Sequence, residues 1–289
     1  MNSIPIHIVC IFFSAIAFGT LLSGCDRIEL HSVPPEPFVC EDQSWPEART
    51  NPYRFIAHAG GEIDGHRYTN SRQALDLAYA NGLRLFEIDL ISTVDDKLVG
   101  AHDWEGWRES SAASGRIEPT HADFKSVRLF GKYEPLDVAD LDRWFTERGS
   151  AFLITDKVTD FESLVEGFSH LDRLIVEVFS VEDYGRAQEA GIRYPMLSLR
   201  SAIANDGEKE VLGFLAKNPV KFVAVSRKII WEYKDLLRSL RANKTCVYMF
   251  TSSDPQFLEE VFDDVTFGTY TDSWNLNNGT CETANCDSY

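Results

Sequence analysis

The chain has 289 residues, a formal net charge of −17, 44% hydrophobic residues and 25% charged residues. That balance belongs to a folded body and excludes a largely disordered chain. So acidic a protein also lacks a general surface for nucleic acid, whose backbone is bound by Lys and Arg. An anionic substrate would have to meet a local positive charge, either a bound cation or a few placed basic side chains.

Positions 4–22 are almost unbroken apolar sequence and run into Leu21-Leu22-Ser23-Gly24-Cys25. A short apolar core that closes on small residues, with no basic stop-transfer flank behind it, reads as a secretory signal rather than a membrane span. The Leu-Ser-Gly-Cys ending resembles a bacterial lipobox, although positions 1–10 carry no Lys or Arg. It implies lipidation of Cys25 and a membrane tether at the cell envelope. Asp26 favours the periplasmic side of the inner membrane, with a cleaved signal and a secreted body as the alternative. Positions 26–50, with Val33-Pro34-Pro35-Glu36-Pro37, are expected to form an extended tether.

Beyond the tether, short apolar runs alternate with amphipathic stretches such as 71–81 and 231–243. The strand candidates are 55–58, 85–90, 152–156, 174–178, 196–199, 222–225, 246–251 and 265–271. Nearly continuous β-branched runs of this length indicate parallel strands buried on both faces. Eight of them in alternation with helices predict an α/β fold, a (β/α)8 TIM barrel over about 51–275. An open doubly wound sheet is the alternative, but no Gly-rich phosphate fingerprint follows the first strand. The interval 97–143 is too long for a simple connection. It predicts an insertion after the second strand, beginning with a hairpin arm at 97–102.

A polar tail, 276–289, holds Cys281 and Cys286, and Cys40 and Cys246 lie in the body. In an oxidising compartment these four admit three pairings. Cys246 sits in an apolar run and reads as a buried thiol. A local Cys281–Cys286 bridge is preferred, and Cys40 with one of those two is the alternative.

The chemistry gathers at the ends of the first strands. His58 closes the first. Glu87 and Asp89, two apart on the second, point to the same side, which in a barrel is the interior near its catalytic mouth. Two inward carboxylates are costly unless paired, and a hard cation with a preference for oxygen, Mg²⁺ or Ca²⁺, relieves that cost. His102 ends the arm. Two histidines supply a base and an acid near neutral pH, and a metal offsets charge developing on phosphorus. Asp156 on the next strand adds a third carboxylate and Lys157 a cation, although a simple ion pair at a strand end would look the same. Trp104 and Trp107 either form an apolar lip over the mouth or fill the core of the insertion.

The segments Ile56-Ala57-His58, Thr69-Asn70-Ser71, Phe86-Glu87-Ile88-Asp89, Thr93-Val94-Asp95 and Val99-Gly100-Ala101-His102-Asp103 together resemble the glycerophosphodiester phosphodiesterase family. Asp156-Lys157 and Thr271-Asp272 are weaker echoes. The resemblance implies a barrel with an insertion, His58 and His102 as the acid–base pair, and one divalent ion held by Glu87, Asp89 and Asp156. Lys157 is expected to join the two histidines as a catalytic residue, and Asn70 and Trp104 to contact a small phosphodiester. Hydrolysis would pass through a cyclic phosphate to an alcohol and glycerol 3-phosphate. Phospholipase C-like or sphingomyelinase D-like activity, and a non-catalytic binding lipoprotein, are the competing functions. Where the family has a phosphate-binding Arg after the first His, this chain has Ala59, and Arg67 is the expected substitute.

Overall fold

Strand β1 (Phe55–Ala57) lies parallel to β2 (Leu85–Ser92), and the series continues through β4 (Phe152–Asp156), β5 (Leu174–Val178), β6 (Tyr194–Ser198), β7 (Phe222–Ser226), β8 (Cys246–Phe250) and β9 (Gly268–Thr271). Strand β9 pairs back onto β1, so these eight parallel strands close a barrel. This computed structural model describes residues 38–114, 117–281 and Cys286; the apolar leader, Cys25, Asp26 and the rest of 26–37 lie outside the described residues. All eight expected strands are present, with ends shifted by up to three residues. No helix among the described residues is long and apolar enough to cross a membrane.

Period-two alternation sorts the strand side chains. Ile56, Leu85, Ile154, Ile175, Met196, Ala224, Tyr248 and Tyr270 fill the barrel interior. Phe86, Leu153, Val176, Leu197, Val223 and Val247 pack outward under the helices. On β2 the inward row is Leu85, Glu87, Asp89, which climbs from the floor to the mouth as the pleat requires. Helices α2 (Arg72–Ala80), α5 (Val138–Thr146), α6 (Phe161–Gly167) and α7 (Val181–Glu189) each begin with a side-chain cap, from Ser71, Asp137, Asp160 and Ser180. Such caps satisfy orphan N–H groups and fix where each loop turns into its helix.

The insertion comprises β3 (Leu98–Gly100), antiparallel to β2, then α3 (Trp104–Ser111) and α4 (His121–Ser126). The interval 97–143 therefore extends into α5, which is a barrel helix: its Trp144 packs 5.0 Å from Phe86. Trp107 and Phe124 stack at 5.6 Å and, with Tyr133 and Leu129, give the insertion its own small core.

The described part of the expected tether is not extended. Phe38 enters the N-terminal end of the barrel, stacked 4.8 Å from Tyr53 and edge-on to Phe152 at 5.5 Å. The helix α1 (Trp45–Ala48) continues this packed segment. Cys40 and Cys246, the first residue of β8, form a disulfide, so Cys246 is buried but is not the free thiol expected. Fully buried Arg54 donates to the Glu41 carbonyl and to Asp263, and Arg241 reaches Asp42 and the Cys40 carbonyl. The apolar run around Cys246 hid a partner 206 residues away, because the packed segment from Phe38 to α1, a plug at the N-terminal end of the barrel, brings Cys40 back under the strands. Replacing both cysteines by alanine is expected to cost about 2–4 kcal/mol, read as a lower urea midpoint. An unchanged midpoint would mean that the buried arginines hold the plug alone.

The tail is also pinned. Cys281 is bonded to Cys286, the preferred local bridge, and β10 (Trp274–Asn275) pairs with β11 (Thr280–Cys281). Trp274 stacks on Phe55 at 4.5 Å, and the Gly279 carbonyl accepts from Arg49 Nε at 2.6 Å.

Candidate active site

The C-terminal ends of the strands surround a cavity of about 310 Å³ lined by His58, Glu87, Asp89, His102, Asp156 and Lys157, with Glu177 and Tyr270 deeper in the wall. His58 follows β1, where the chain turns away through Gly60 and Gly61 at φ 82° and 96°. Only glycine takes such angles freely. Ala59, at φ 48°, is fully buried, and its backbone N–H rather than a side chain faces the carboxylates, donating to Glu87 Oε2 at 2.7 Å.

Single carboxylate oxygens from Glu87, Asp89 and Asp156 all lie within 4.8 Å of one another. Oxygen ligands ~2.0–2.6 Å from a shared Mg²⁺ or Ca²⁺ have this mutual spacing. Glu87 Oε1 and Asp156 Oδ1 are buried with no hydrogen-bond partner, which is costly for groups of this kind. Burial and then the neighbouring Asp89 and Asp156 carboxylates push Glu87 well above its ordinary pKa. Burial, then Asp89, does the same to Asp156. For Asp89, burial is outweighed by the Lys157 ammonium and by hydrogen bonds from Lys157 and Asn70, and its pKa is lowered. The donor set therefore fits a divalent cation: three converging carboxylates, two with an oxygen left over, and a single ammonium, Lys157, which leaves two negative charges to balance.

Each histidine is braced from behind. His58 Nδ1 lies 2.9 Å from Asp272 Oδ1, and His102 Nδ1 lies 2.6 Å from Asp103 Oδ2. Both Nε2 atoms are thereby left for the mouth, the arrangement that fixes a histidine for proton transfer. Asp103 also caps α3 through Gly106 N, so the arm, its histidine and the insertion's first helix are one unit. Lys157 donates to Asp89 Oδ1 at 2.6 Å and to the His102 carbonyl at 2.9 Å, tying the arm to the carboxylates. Burial lowers the Lys157 pKa, but Asp156 and Asp89 outweigh it and the net shift is upward.

Of the three expected substrate contacts, Asn70 and Trp104 line neither the carboxylate chamber nor the cavity beside it. Asn70 is fully buried and spends both ends on Asp89, donating to Oδ2 at 3.0 Å and accepting from its backbone N–H at 3.0 Å. It positions a carboxylate and cannot reach a substrate. Trp104 packs against Trp107 and Phe124 inside the insertion and lines neither the mouth nor the cavity beside it. Arg67 lines the cavity beside the carboxylate chamber, which shares Tyr68 and His102 with it, and not the chamber itself. Its Nε lies 3.2 Å from Asp272 Oδ2 and 3.4 Å from Glu62, so its charge is committed behind His58.

Other residues join the site without having been expected there. Asp272 orients His58. Glu177 on β5 is buried against Tyr270 Oη at 2.9 Å, with its pKa raised by burial. A lone carboxylate inside Leu-Ile-Val-Glu-Val was the available signal, since charge in a doubly buried strand needs a reason. Tyr68 stands edge-on between the two histidines, 4.9 Å from the His58 ring and 5.1 Å from that of His102. No local pattern marks it, because only the folding of the 61–71 loop brings it there.

No family model matches the sequence, and no curated protein is similar enough to match it. Solved structures do share its fold. A glycerophosphoryl diester phosphodiesterase from Parabacteroides distasonis aligns with TM-score 0.63 at 16% identity, over 83% of this chain and 93% of that one. A phosphodiesterase from Oleispira antarctica, in complex with the product sn-glycerol-3-phosphate, aligns with TM-score 0.62 at 17% identity over 81% and 97%. A glycerophosphodiester phosphodiesterase from Thermotoga maritima gives TM-score 0.59 at 19% identity over 78% and 96%. The chain is thus a (β/α)8 barrel of the shape found in these enzymes. Its mouth carries three clustered carboxylates, a lysine and two braced histidines.

Proposed function

We propose that the protein is a metal-dependent glycerophosphodiester phosphodiesterase that yields an alcohol and glycerol 3-phosphate. The observation that carries this reading is the pair of orphaned oxygens on Glu87 and Asp156 in the wall of a cavity shared by two carboxylate-braced histidines. The shared fold with an enzyme holding glycerol 3-phosphate supports the substrate class. Glu87, Asp89 and Asp156 would hold one divalent cation, Mg²⁺ or Ca²⁺, which supplies neutralising charge for the phosphate oxygens. Lys157 fixes Asp89 and the arm and adds a cation at the chamber wall.

In this reading His58 Nε2 takes the proton from the glycerol hydroxyl next to the phosphate, and that oxygen attacks phosphorus. The bond to the other alcohol breaks as His102 Nε2 gives its proton to the departing oxygen. Water then opens the cyclic phosphate with the roles reversed: His102 takes a proton from water, and His58 returns one to the glycerol oxygen. Each histidine ends in its starting state. The conjugate pairs Asp272–His58 and Asp103–His102 keep both rings in the tautomer these steps require.

We place the enzyme at the bacterial cell envelope, tethered through a lipid on Cys25, with a secreted form as the alternative. The body is entered through Phe38 at the end of the barrel opposite the mouth. Two braced histidines weigh against a purely binding lipoprotein.

The test is turnover of glycerophosphocholine, glycerophosphoethanolamine, glycerophosphoglycerol and intact phospholipid by the folded chain, with Mg²⁺, Ca²⁺ or a chelator. Release of glycerol 3-phosphate that requires metal is the expected result. No diester hydrolysed with either metal would end the enzyme reading.

A further inference from the structure

At the N-terminal end of the barrel, away from the mouth, the starts of β7 and β8 and the ends of the helices before them enclose a cavity of about 620 Å³. Its lining carries three ammonium groups, Lys217, Lys221 and Lys244, and no carboxylate. The whole chain has 45 acidic residues against 28 Lys and Arg, so an acid-free lining with three lysines runs against its composition. We propose that this cavity takes the phosphate of an anionic bilayer lipid and seats the barrel on the membrane by the end opposite its mouth. The proposal goes beyond the reaction above and rests on the envelope placement given with it.

The helix Glu208–Lys217 ends on Lys217, and Lys244 follows the helix Lys234–Ala242 at φ 65°. The helix dipole favours a cation at a C-terminus, which accounts for one lysine at either end. It does not account for the exclusion of acids, since α7 closes on Glu189 at the same end of the barrel. Lys217 and Lys244 are exposed and have no ion pair among the described residues. Thr245 Oγ1 donates to the Val220 carbonyl at 2.8 Å, and Asn218 Nδ2 to the Phe214 carbonyl at 2.9 Å. With those polar groups engaged, the charge of the lining rests with the ammonium groups, which suits an anion with several acceptor oxygens.

The position selects a bilayer as the source of that phosphate. Phe38 packs 5.7 Å from Phe222, the residue after Lys221, and Cys40 is bonded to Cys246, two residues after Lys244. The plug, through which the N-terminal segment joins the body, therefore lies beside the lysines. Two nearby carboxylates, Asp42 and Asp263, are spent on Arg54 and Arg241. Exposed Arg193, just before β6, extends the basic edge. Attraction of Lys to anionic headgroups decays within a Debye length, about 8 Å. The five-residue strands β7 and β8 alone span about 17 Å. The lysines thus act on a surface touching this end, while the acids around the mouth are screened from it.

The test is partition of the full chain onto vesicles of phosphatidylcholine alone and of phosphatidylcholine mixed with phosphatidylglycerol. Three proteins are compared: the wild type, Lys217→Glu with Lys244→Glu, and Lys217→Arg with Lys244→Arg. The apolar leader adds to binding on both kinds of vesicle, so the ratio of the two affinities is the readout. Both lysines are exposed and line no part of the carboxylate chamber, and melting temperatures control for folding. The wild type should prefer the mixed vesicles at low salt and lose that preference at high salt. The glutamate pair should lower the ratio roughly fivefold for each lysine replaced, and the arginine pair should keep it. No preference for phosphatidylglycerol, or a ratio unmoved by the glutamate pair, overturns the proposal. So does lysine-dependent binding of inorganic phosphate, read by calorimetry, in a protein with no vesicle preference. The mass of the chain extracted from cells tests the placement separately: an unlipidated Cys25 ends that reading, whereas the vesicle ratio alone decides the surface.

Discussion

His102→Ala is expected to slow hydrolysis of diesters of alkyl alcohols by about 10²–10⁴-fold, yet to slow far less the first release of p-nitrophenol from its glycerol 3-phosphate diester. Nitrophenolate departs without a proton, so it does not need the acid that an alkoxide needs. His58→Ala removes the base that starts both reactions, and should slow the two substrates alike. His102 lines both the carboxylate chamber and the cavity beside it under α3, whereas His58 lines only the chamber. Because His102 also activates water in the second step, its loss should leave cyclic glycerophosphate to accumulate. Single-turnover release and phosphorus NMR of the products provide the measurement. Equal losses on both substrates would assign His102 to something other than protonating the leaving group. Asp103→Asn should show a milder form of the same pattern, since it disturbs the tautomer without removing the ring.

The parts of this site that could be read from sequence are those set by strand geometry. Glu87 and Asp89 had to face one way because the pleat has period two, and their pairing with Ile154 and Asp156 on β4 puts the third carboxylate beside them. His58 and His102 were legible as the last residues of extended runs. What escaped depends on loops and on the ends of the chain, where no period constrains a side chain. Asn70 was expected as a substrate contact from the resemblance of Thr69-Asn70-Ser71 to the family's motif. Its burial beside Asp89 follows from the left-handed turn at φ 45°, which no composition predicts. Arg67 is near enough to the mouth to have served as the phosphate cation, but Asp272 claims it. The tether expected through position 50 failed for a different reason. Phe38-Val39-Cys40 is a run of only three apolar residues between the Pro-rich stretch and Glu41-Asp42, too short to mark an element, and Phe38 and Cys40 find their partners only on the floor of the closed barrel. In each case the misreading concerned which long-range partner a correctly identified residue would find.

In the presence of a chelator Glu87 and Asp156 should take stability away as pH rises above their ordinary carboxylate values toward the raised folded ones, and Mg²⁺ or Ca²⁺ should restore stability by an amount that grows with pH. Glu87 and Asp156 have folded pKa values raised well above their ordinary 4.5 and 3.8, by burial first and by neighbouring carboxylates second. Between the ordinary carboxylate pKa values and the raised folded ones the unfolded chain binds fewer of these protons than the metal-free folded chain, so each further rise in pH takes stability away through these two groups. Asp89 has the opposite sign, since its folded pKa lies below 3.8. It adds stability above its ordinary value and loses it only as pH falls through the lower folded one. A bound divalent ion favours the ionised carboxylates and competes with their protons, so metal affinity rises as the protons become easier to remove. Glu87→Gln with Asp156→Asn should flatten the chelated protein's pH profile, raise its melting temperature near neutrality and abolish turnover together. Stability and activity thus move in opposite directions, as expected where function requires charges that the fold alone does not neutralise. Melting curves from pH 4 to 8, with chelator and with each metal, test it. A chelated wild type whose stability follows pH as the double variant's does, or a double variant that gains nothing, would show that Lys157 already balances the cluster and that no cation is needed there.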